Sequence, residues 1–201
     1  DAGWTETAPA TYTVASDGTY TLYPWAKDAA GNVSAVFATP LTVVADTTLP
    51  TVTAVLPLDG ATGVALNGNV TITWSENLNC STVNTTSITS TSPGWTLSSC
   101  LNKQAVFTTS GQDNSNLYNV NISTAVTDSA GNPMAAAYSF SYTTVEPPDL
   151  TAPTVTAFTA TSPSTSLNIP ITSFTATDNA GVTGYKITTT ETPPLAGDAG
   201  W

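Results

Sequence analysis

Tyr118-Asn119-Val120-Asn121-Ile122-Ser123 alternates apolar with polar residues, one for one. That period of two belongs to a strand with one buried face and one wet face. Working outward, Val70, Ile72 and Trp74 alternate with Asn69, Thr71 and Thr73, and Tyr138, Phe140 and Tyr142 with Ser139, Ser141 and Thr143. Nearer the N-terminus, Tyr20, Leu22 and Ala26 are expected to point inward, and Tyr23, Trp25 and Lys27 outward. No stretch has a helical period. The composition agrees, because 41 Thr and 19 Ser with 14 Pro and 13 Gly favour strands joined by turns. The chain reads as all-β.

The 201 residues include 3 Lys, no Arg, no His and 14 Asp or Glu, for a net charge of −11. Without histidine there is no histidine base, no Ser-His-Asp triad and no His-ligated zinc or iron. Three scattered lysines cannot line a phosphate-binding groove, so nucleic acid is not an expected partner. No apolar run approaches the ~20 residues of a membrane-spanning helix, so no membrane insertion is expected. Glu6, Glu76, Glu146 and Glu191 sit in no paired motif of the kind that glycoside hydrolysis needs. The chain is not expected to be an enzyme.

Internal repeats organise the rest. Asp1-Ala2-Gly3-Trp4 returns as Asp198-Ala199-Gly200-Trp201, a period of 197 residues that cuts one unit in the middle. Asp46-Thr47-Thr48-Leu49-Pro50-Thr51-Val52-Thr53-Ala54 is echoed by Asp149-Leu150-Thr151-Ala152-Pro153-Thr154-Val155-Thr156-Ala157. A loop signature, Asp-x-Ala-Gly, occurs at Asp28, Asp128 and Asp178. The two proline-bearing echoes read as linkers, since each proline ends one strand system and starts an extended one. They divide the chain into 1–45, the C-terminal half of a domain; 46–148, a complete domain; and 149–201, the N-terminal half of another. The two halves complete each other between successive repeats. No signal peptide opens the chain, which reads as a mature or excised segment.

Residues 46–146 carry Pro57-Leu58-Asp59-Gly60-Ala61-Thr62-Gly63-Val64, Trp74-Ser75-Glu76 and Val126-Thr127-Asp128-Ser129-Ala130-Gly131-Asn132-Pro133. With these motifs the segment resembles the bacterial Ig-like domain named after an S-layer protein. Thr177-Asp178-Asn179-Ala180-Gly181-Val182-Thr183-Gly184-Tyr185 and Trp25-Ala26-Lys27-Asp28-Ala29-Ala30-Gly31-Asn32-Val33-Ser34 make the joined halves similar to another bacterial Ig-like repeat. Pro24 departs from that repeat, and it weakens edge pairing of its strand. The resemblance implies tandem Ig-like β-sandwiches that serve as spacers in surface proteins, adhesins and fibres.

In a seven-strand sandwich the linker entering the first strand, the B–C loop and the F–G loop share one pole. That pole should collect Asp46, Glu76 with Asn77, and Asp128 with Asn132. In the joined domain it should collect Asp149, Asp178 with Asn179, and Asp28 with Asn32 from the following copy. Carboxylates, amides and loop carbonyls suit calcium, which takes 6–8 hard oxygens. A calcium ion there would stiffen the hinge between domains. Turn formation alone explains the same residues equally well, since Asp and Asn cap turns and Gly supplies positive φ.

Cys80 and Cys100 have 19 residues between them and, in an exported chain, are expected to form a disulfide. A catalytic thiol would lack both a His partner and a basic neighbour. Tyr23 and Trp25 on an outer face, with Trp4, Trp95 and Trp201, could contact sugars or proteins; the plainer expectation puts most of these aromatics in the core or beneath long loops. Asn-x-Ser/Thr sequons at Asn32, Asn79, Asn84 and Asn121 arise easily by chance in so Thr-rich a chain.

The leading expectation is a structural repeat unit of an extracellular bacterial filament or giant cell-surface protein. Its partners are copies of itself, head to tail, as a covalent tandem array or as subunits complementing one another's strands. The alternative is an adhesin module that binds carbohydrate or a partner surface.

Overall fold

The computed structural model describes residues 3–199, and every helix-or-strand element among them is a strand. The chain divides into two compact units, Asp1–Glu146 and Pro147–Trp201.

The first unit contains a sandwich of two four-stranded sheets. One sheet has the order β3 (Val52–Leu56), β5 (Val70–Trp74), β8 (Gln104–Thr108), β7 (Thr96–Leu101), all antiparallel. The other has the order β4 (Ala61–Val64), β10 (Tyr138–Thr144), β9 (Leu117–Ile122), β6 (Ile88–Ser90), with only β4 and β10 parallel. Period-two patterning becomes pleat here. Val70, Ile72 and Trp74 on β5, and Tyr118, Val120 and Ile122 on β9, are all buried. One hydrophobic cluster runs from Val55 to Tyr142 and includes Phe107 and Phe140. Each fully buried aliphatic side chain in it contributes roughly 1.5–3 kcal/mol.

Most polar groups inside the sandwich are paired, as burial demands; Glu76 Oε1 and Thr127 Oγ1 are the exceptions among the described residues. The Gln112 amide donates to Tyr142 Oη and Ser92 Oγ, each at 2.9 Å. The Asp113 amide donates to Tyr118 Oη at 2.8 Å. Cys80 and Cys100 are joined, with Cα atoms 5.7 Å apart, tying the segment after β5 to β7.

Ahead of the sandwich, β1 (Gly18–Leu22) and β2 (Leu41–Ala45) form an antiparallel pair. Tyr20 faces Val43 and Leu22 faces Leu41, while the other side carries Thr21 and Thr42 with hydroxyls 3.3 Å apart. In the second unit, β11 (Thr154–Ala160) pairs with β12 (Ile171–Thr177). Phe174 meets Phe158 edge-on at 5.2 Å and Tyr185 at 4.9 Å.

Three expectations need correction. Ala26 is exposed, because β1 stops at Leu22, two residues before Pro24, whose missing N–H cannot extend a ladder. Tyr138, the first residue of its strand, remains 37% exposed although Phe140 and Tyr142 are buried. The sequence puts most of Tyr23, Trp25, Trp4 and Trp95 in the core or beneath loops, and among these only Trp95 packs against the core. Trp74 is fully buried, and Trp95 stacks on Phe107 at 4.4 Å, but Trp4 and Trp25 are about half exposed. Asp1, Ala2, Gly200 and Trp201 lie outside the described residues, and with them half of the tetrapeptide echo.

Candidate metal centre

Asp128 sits six residues beyond the end of β9, in the loop leading to β10. Its Oδ1 accepts the amides of Ala130, Gly131 and Asn132 at 2.8, 2.7 and 2.8 Å, and its Oδ2 accepts the Asn132 side-chain amide at 2.8 Å. Gly131 closes this loop at φ 99°, a conformation that favours glycine. Burial alone would push the Asp128 carboxyl up, but the donors from Asn132, Gly131 and Ala130 outweigh it and hold it below the usual aspartate range. The result is a buried carboxylate fixed in its charged form.

The segment after β5 lies against this loop. The Asn79 amide donates to the Thr127 carbonyl at 3.0 Å, and the Ser129 amide to the Asn77 carbonyl at 3.0 Å. Glu76 is carried there, half-buried. Its Oε1 is buried with no hydrogen-bond partner. Burial pushes its carboxyl above the ordinary glutamate value, and the charges of Asp128 and Asp46 add to that shift.

Asp46 arrives from the linker after β2. The Asn132 side chain donates to its backbone carbonyl at 3.0 Å, and its own Oδ1 accepts the Thr48 amide at 3.1 Å. One carboxylate oxygen from each of Asp46, Glu76 and Asp128 lies within 4.8 Å of the others. Two ligands on opposite sides of a calcium ion, each at ~2.4 Å, stand about 4.8 Å apart, so these oxygens can share one ion. The donor set is all oxygen. Zinc-type ligands are missing, because the chain has no His and both cysteines are in the disulfide. An unpaired buried oxygen facing two carboxylates fits a hard divalent cation.

The other acidic residues singled out from sequence are not brought into this cluster. Asp28 forms a loop of the same build on the exposed surface of residues 3–45: its Oδ1 accepts Ala30 and Asn32 amides at 2.9 and 2.8 Å, and its Oδ2 the Asn32 side chain at 2.8 Å. The Asn32 side chain leads the donors that hold the Asp28 carboxyl below its usual range. In the second unit, Asp149 Oδ1 accepts the Thr151 amide and the Asn179 side chain at 3.0 and 3.1 Å. Asp178 Oδ1 accepts the Ala180 amide at 2.9 Å, while its Oδ2 is buried without a partner. Tyr23 and Trp25 are 52% and 51% exposed.

One residue escaped sequence reasoning. Asp17 clamps the linker, accepting the Thr47 amide and hydroxyl on Oδ1 at 3.0 and 2.8 Å, and the Thr48 hydroxyl on Oδ2 at 2.8 Å. In sequence Asp17-Gly18 signals only a turn, and nothing in it points to a partner 30 residues away.

No curated protein and no solved structure matches the chain. Residues 46–144, the whole sandwich with the three clustered acids, match the bacterial Ig-like domain family. Domains of this family are generally non-catalytic modules associated with bacterial surfaces, and the disulfide is consistent with an oxidising compartment. From sheet order, core and motif together, residues 46–144 of this chain are a bacterial Ig-like domain.

Proposed function

We propose that the chain is a structural repeat unit of an extracellular filament or giant cell-surface protein, its Ig-like domains stacked head to tail and stiffened by calcium at the linker entering the central sandwich. The observation that carries the cation is the meeting of Asp46, Glu76 and Asp128, with Glu76 Oε1 buried and unpartnered. Asp46 belongs to the linker, whereas Glu76 and Asp128 belong to sandwich loops. A shared ion would therefore cross-link linker to domain and relieve the repulsion among three carboxylates. Asp17 and Asn132 already hydrogen-bond the same linker, so the ion would add to a joint already restrained.

The mechanism is mechanical. Each sandwich closes on its own core, Pro50 and Pro153 limit bending of the linkers, and a Thr-rich surface with net negative charge resists lateral association. The repetition of the Asp28 loop in the Asp128 loop supports a design built by serial repeats. Thermal melting with calcium and with chelator tests the reading. A stabilised central sandwich in millimolar calcium supports it, and identical melting curves refute it. The adhesive alternative rests on the exposure of Tyr23 and Trp25; it predicts that their replacement by alanine abolishes surface attachment while leaving the calcium shift unchanged.

A further inference from the structure

Two open strand pairs of this chain reproduce two strand pairs that pack together in the central sandwich. The first is β11–β12, which repeats β3–β5. In β3–β5, Val52 pairs with Trp74, a bulge follows, and then Ala54 pairs with Thr73 and Val55 with Ile72. In β11–β12, Val155 pairs with Ala176, a bulge follows at the same place, and then Ala157 pairs with Thr175 and Phe158 with Phe174. Phe158 and Phe174 thus stand where Val55 and Ile72 stand, but Phe158 is 49% exposed where Val55 is 7%.

The second is β1–β2, which repeats β9–β10. Leu22 pairs with Leu41 and Tyr20 with Val43, as Ile122 pairs with Tyr138 and Val120 with Phe140. Asp28 follows the end of β1 by the same six residues that separate Asp128 from the end of β9. The loops share the carboxylate bonds to the second and fourth following residues and the backbone bonds Asp28 N to Asn32 O and Asp128 N to Asn132 O, both 3.0 Å. The apolar side of β1–β2 contributes nothing to the buried cluster, all of whose members lie between Val55 and Tyr142.

In the central sandwich β3–β5 and β9–β10 belong to opposite sheets, and their facing side chains make the core. We infer that the apolar face of β11–β12 is covered by the β1–β2 hairpin of a second copy of this sequence, completing a second sandwich. A second copy is the fitting occupant because of where the chain enters and leaves the first. Asp17 ties residues 3–45 to the linker at Thr47, and Asn132 ties the same linker at Asp46 to the Asp128 loop, whereas Glu146 leaves from the far end of β10. Repeats arranged end to end therefore offer the open pair of one to the hairpin of the next. Docking also brings the Asp28 loop of one copy to Asp149 and Asp178 of the other, the positions that answer to Asp128, Asp46 and Glu76. This interface is heterologous, so it propagates rather than closing as a symmetric dimer.

The inference rests on the head-to-tail reading above, and sedimentation of the full 201-residue chain tests it separately. Leu22→Asp places a charge on the hairpin face and Phe174→Asp places one on the face of β11–β12. Both sites lie outside the central core, so circular dichroism and the calcium response of the Asp46 site report whether each variant retains its sandwich. The wild-type chain is expected to form an open series of oligomers as its concentration rises. Each variant alone should stay monomeric, and an equimolar mixture should give a two-chain complex and nothing larger. A wild-type chain that stays monomeric at millimolar concentration, or a mixture that stays monomeric, overturns the inference. Neither result alters the calcium response, by which the reading of the central sandwich stands or falls.

Discussion

The side-chain amide of Asn132 donates to the backbone carbonyl of Asp46 at 3.0 Å, a hydrogen bond between residues 86 apart in sequence. Its second hydrogen goes to Asp128 Oδ2. One amide thereby joins the linker to the loop that holds the buried carboxylate. Asn132→Ala removes both bonds and leaves part-buried acceptors unmet. It is expected to destabilise the central sandwich by about 1–3 kcal/mol and to weaken calcium binding. Urea unfolding with and without calcium measures both effects.

Glu76 and Asp128 respond to pH in opposite senses. Glu76 has its carboxyl raised in the folded state by burial and by the charges of Asp128 and Asp46. Its protonated form is therefore favoured by folding, and in chelator it costs stability as pH rises from the ordinary glutamate value of 4.5 through the raised one. Asp128 is lowered on balance, its donors overcoming burial, so its contribution is present above 3.8 and is lost as pH falls below it. Glu76→Gln removes only the first of these trends. At neutral pH the variant is expected to melt above wild type in chelator and below it in calcium. Melting curves across pH check the crossing.

Reduction of Cys80–Cys100 is a test without mutation. The loop spans a separation of 20 residues, for which chain entropy gives about 3 kcal/mol. In a domain of this size that corresponds to a fall in Tm of roughly 10–20 °C. Scanning calorimetry with and without reductant reads it directly.

Gly94 sits at φ 64°, and a Cβ there would meet the Ser110 hydroxyl and come within 2.7 Å of the Ser110 backbone nitrogen. Gly94→Ala therefore combines left-handed backbone strain with a clash that no rotamer relieves. A loss of about 2–4 kcal/mol is expected, whereas Gly111→Ala, with nothing near its Cβ, shows only the backbone part. Chemical denaturation of the pair separates the two contributions.

Much of this structure was legible in the residues. The alternation at Val70–Trp74 and Tyr118–Ile122 is the buried pleat itself, because a strand with one wet face has no other pattern. Asp46, Glu76 and Asp128 could be grouped from sequence because successive loops of a sandwich alternate between ends. What stayed hidden depends on partners that sequence does not order. Asp17 reads as half of a turn, yet it clamps Thr47 and Thr48. Ala26 looked like the next inward residue after Leu22, but Pro24 ends the ladder first. The bulge after Val155 gave no sign either, since Thr156 is as good a strand residue as its neighbours.

Calorimetric titration of calcium into the wild-type chain and into Glu76→Gln reads the linker site itself. The wild type is expected to bind calcium saturably and to lose the linker site when Glu76 becomes an amide, with the thermal shift of the central sandwich lost in parallel. Identical titrations for the two proteins, or no binding by either, would contradict it.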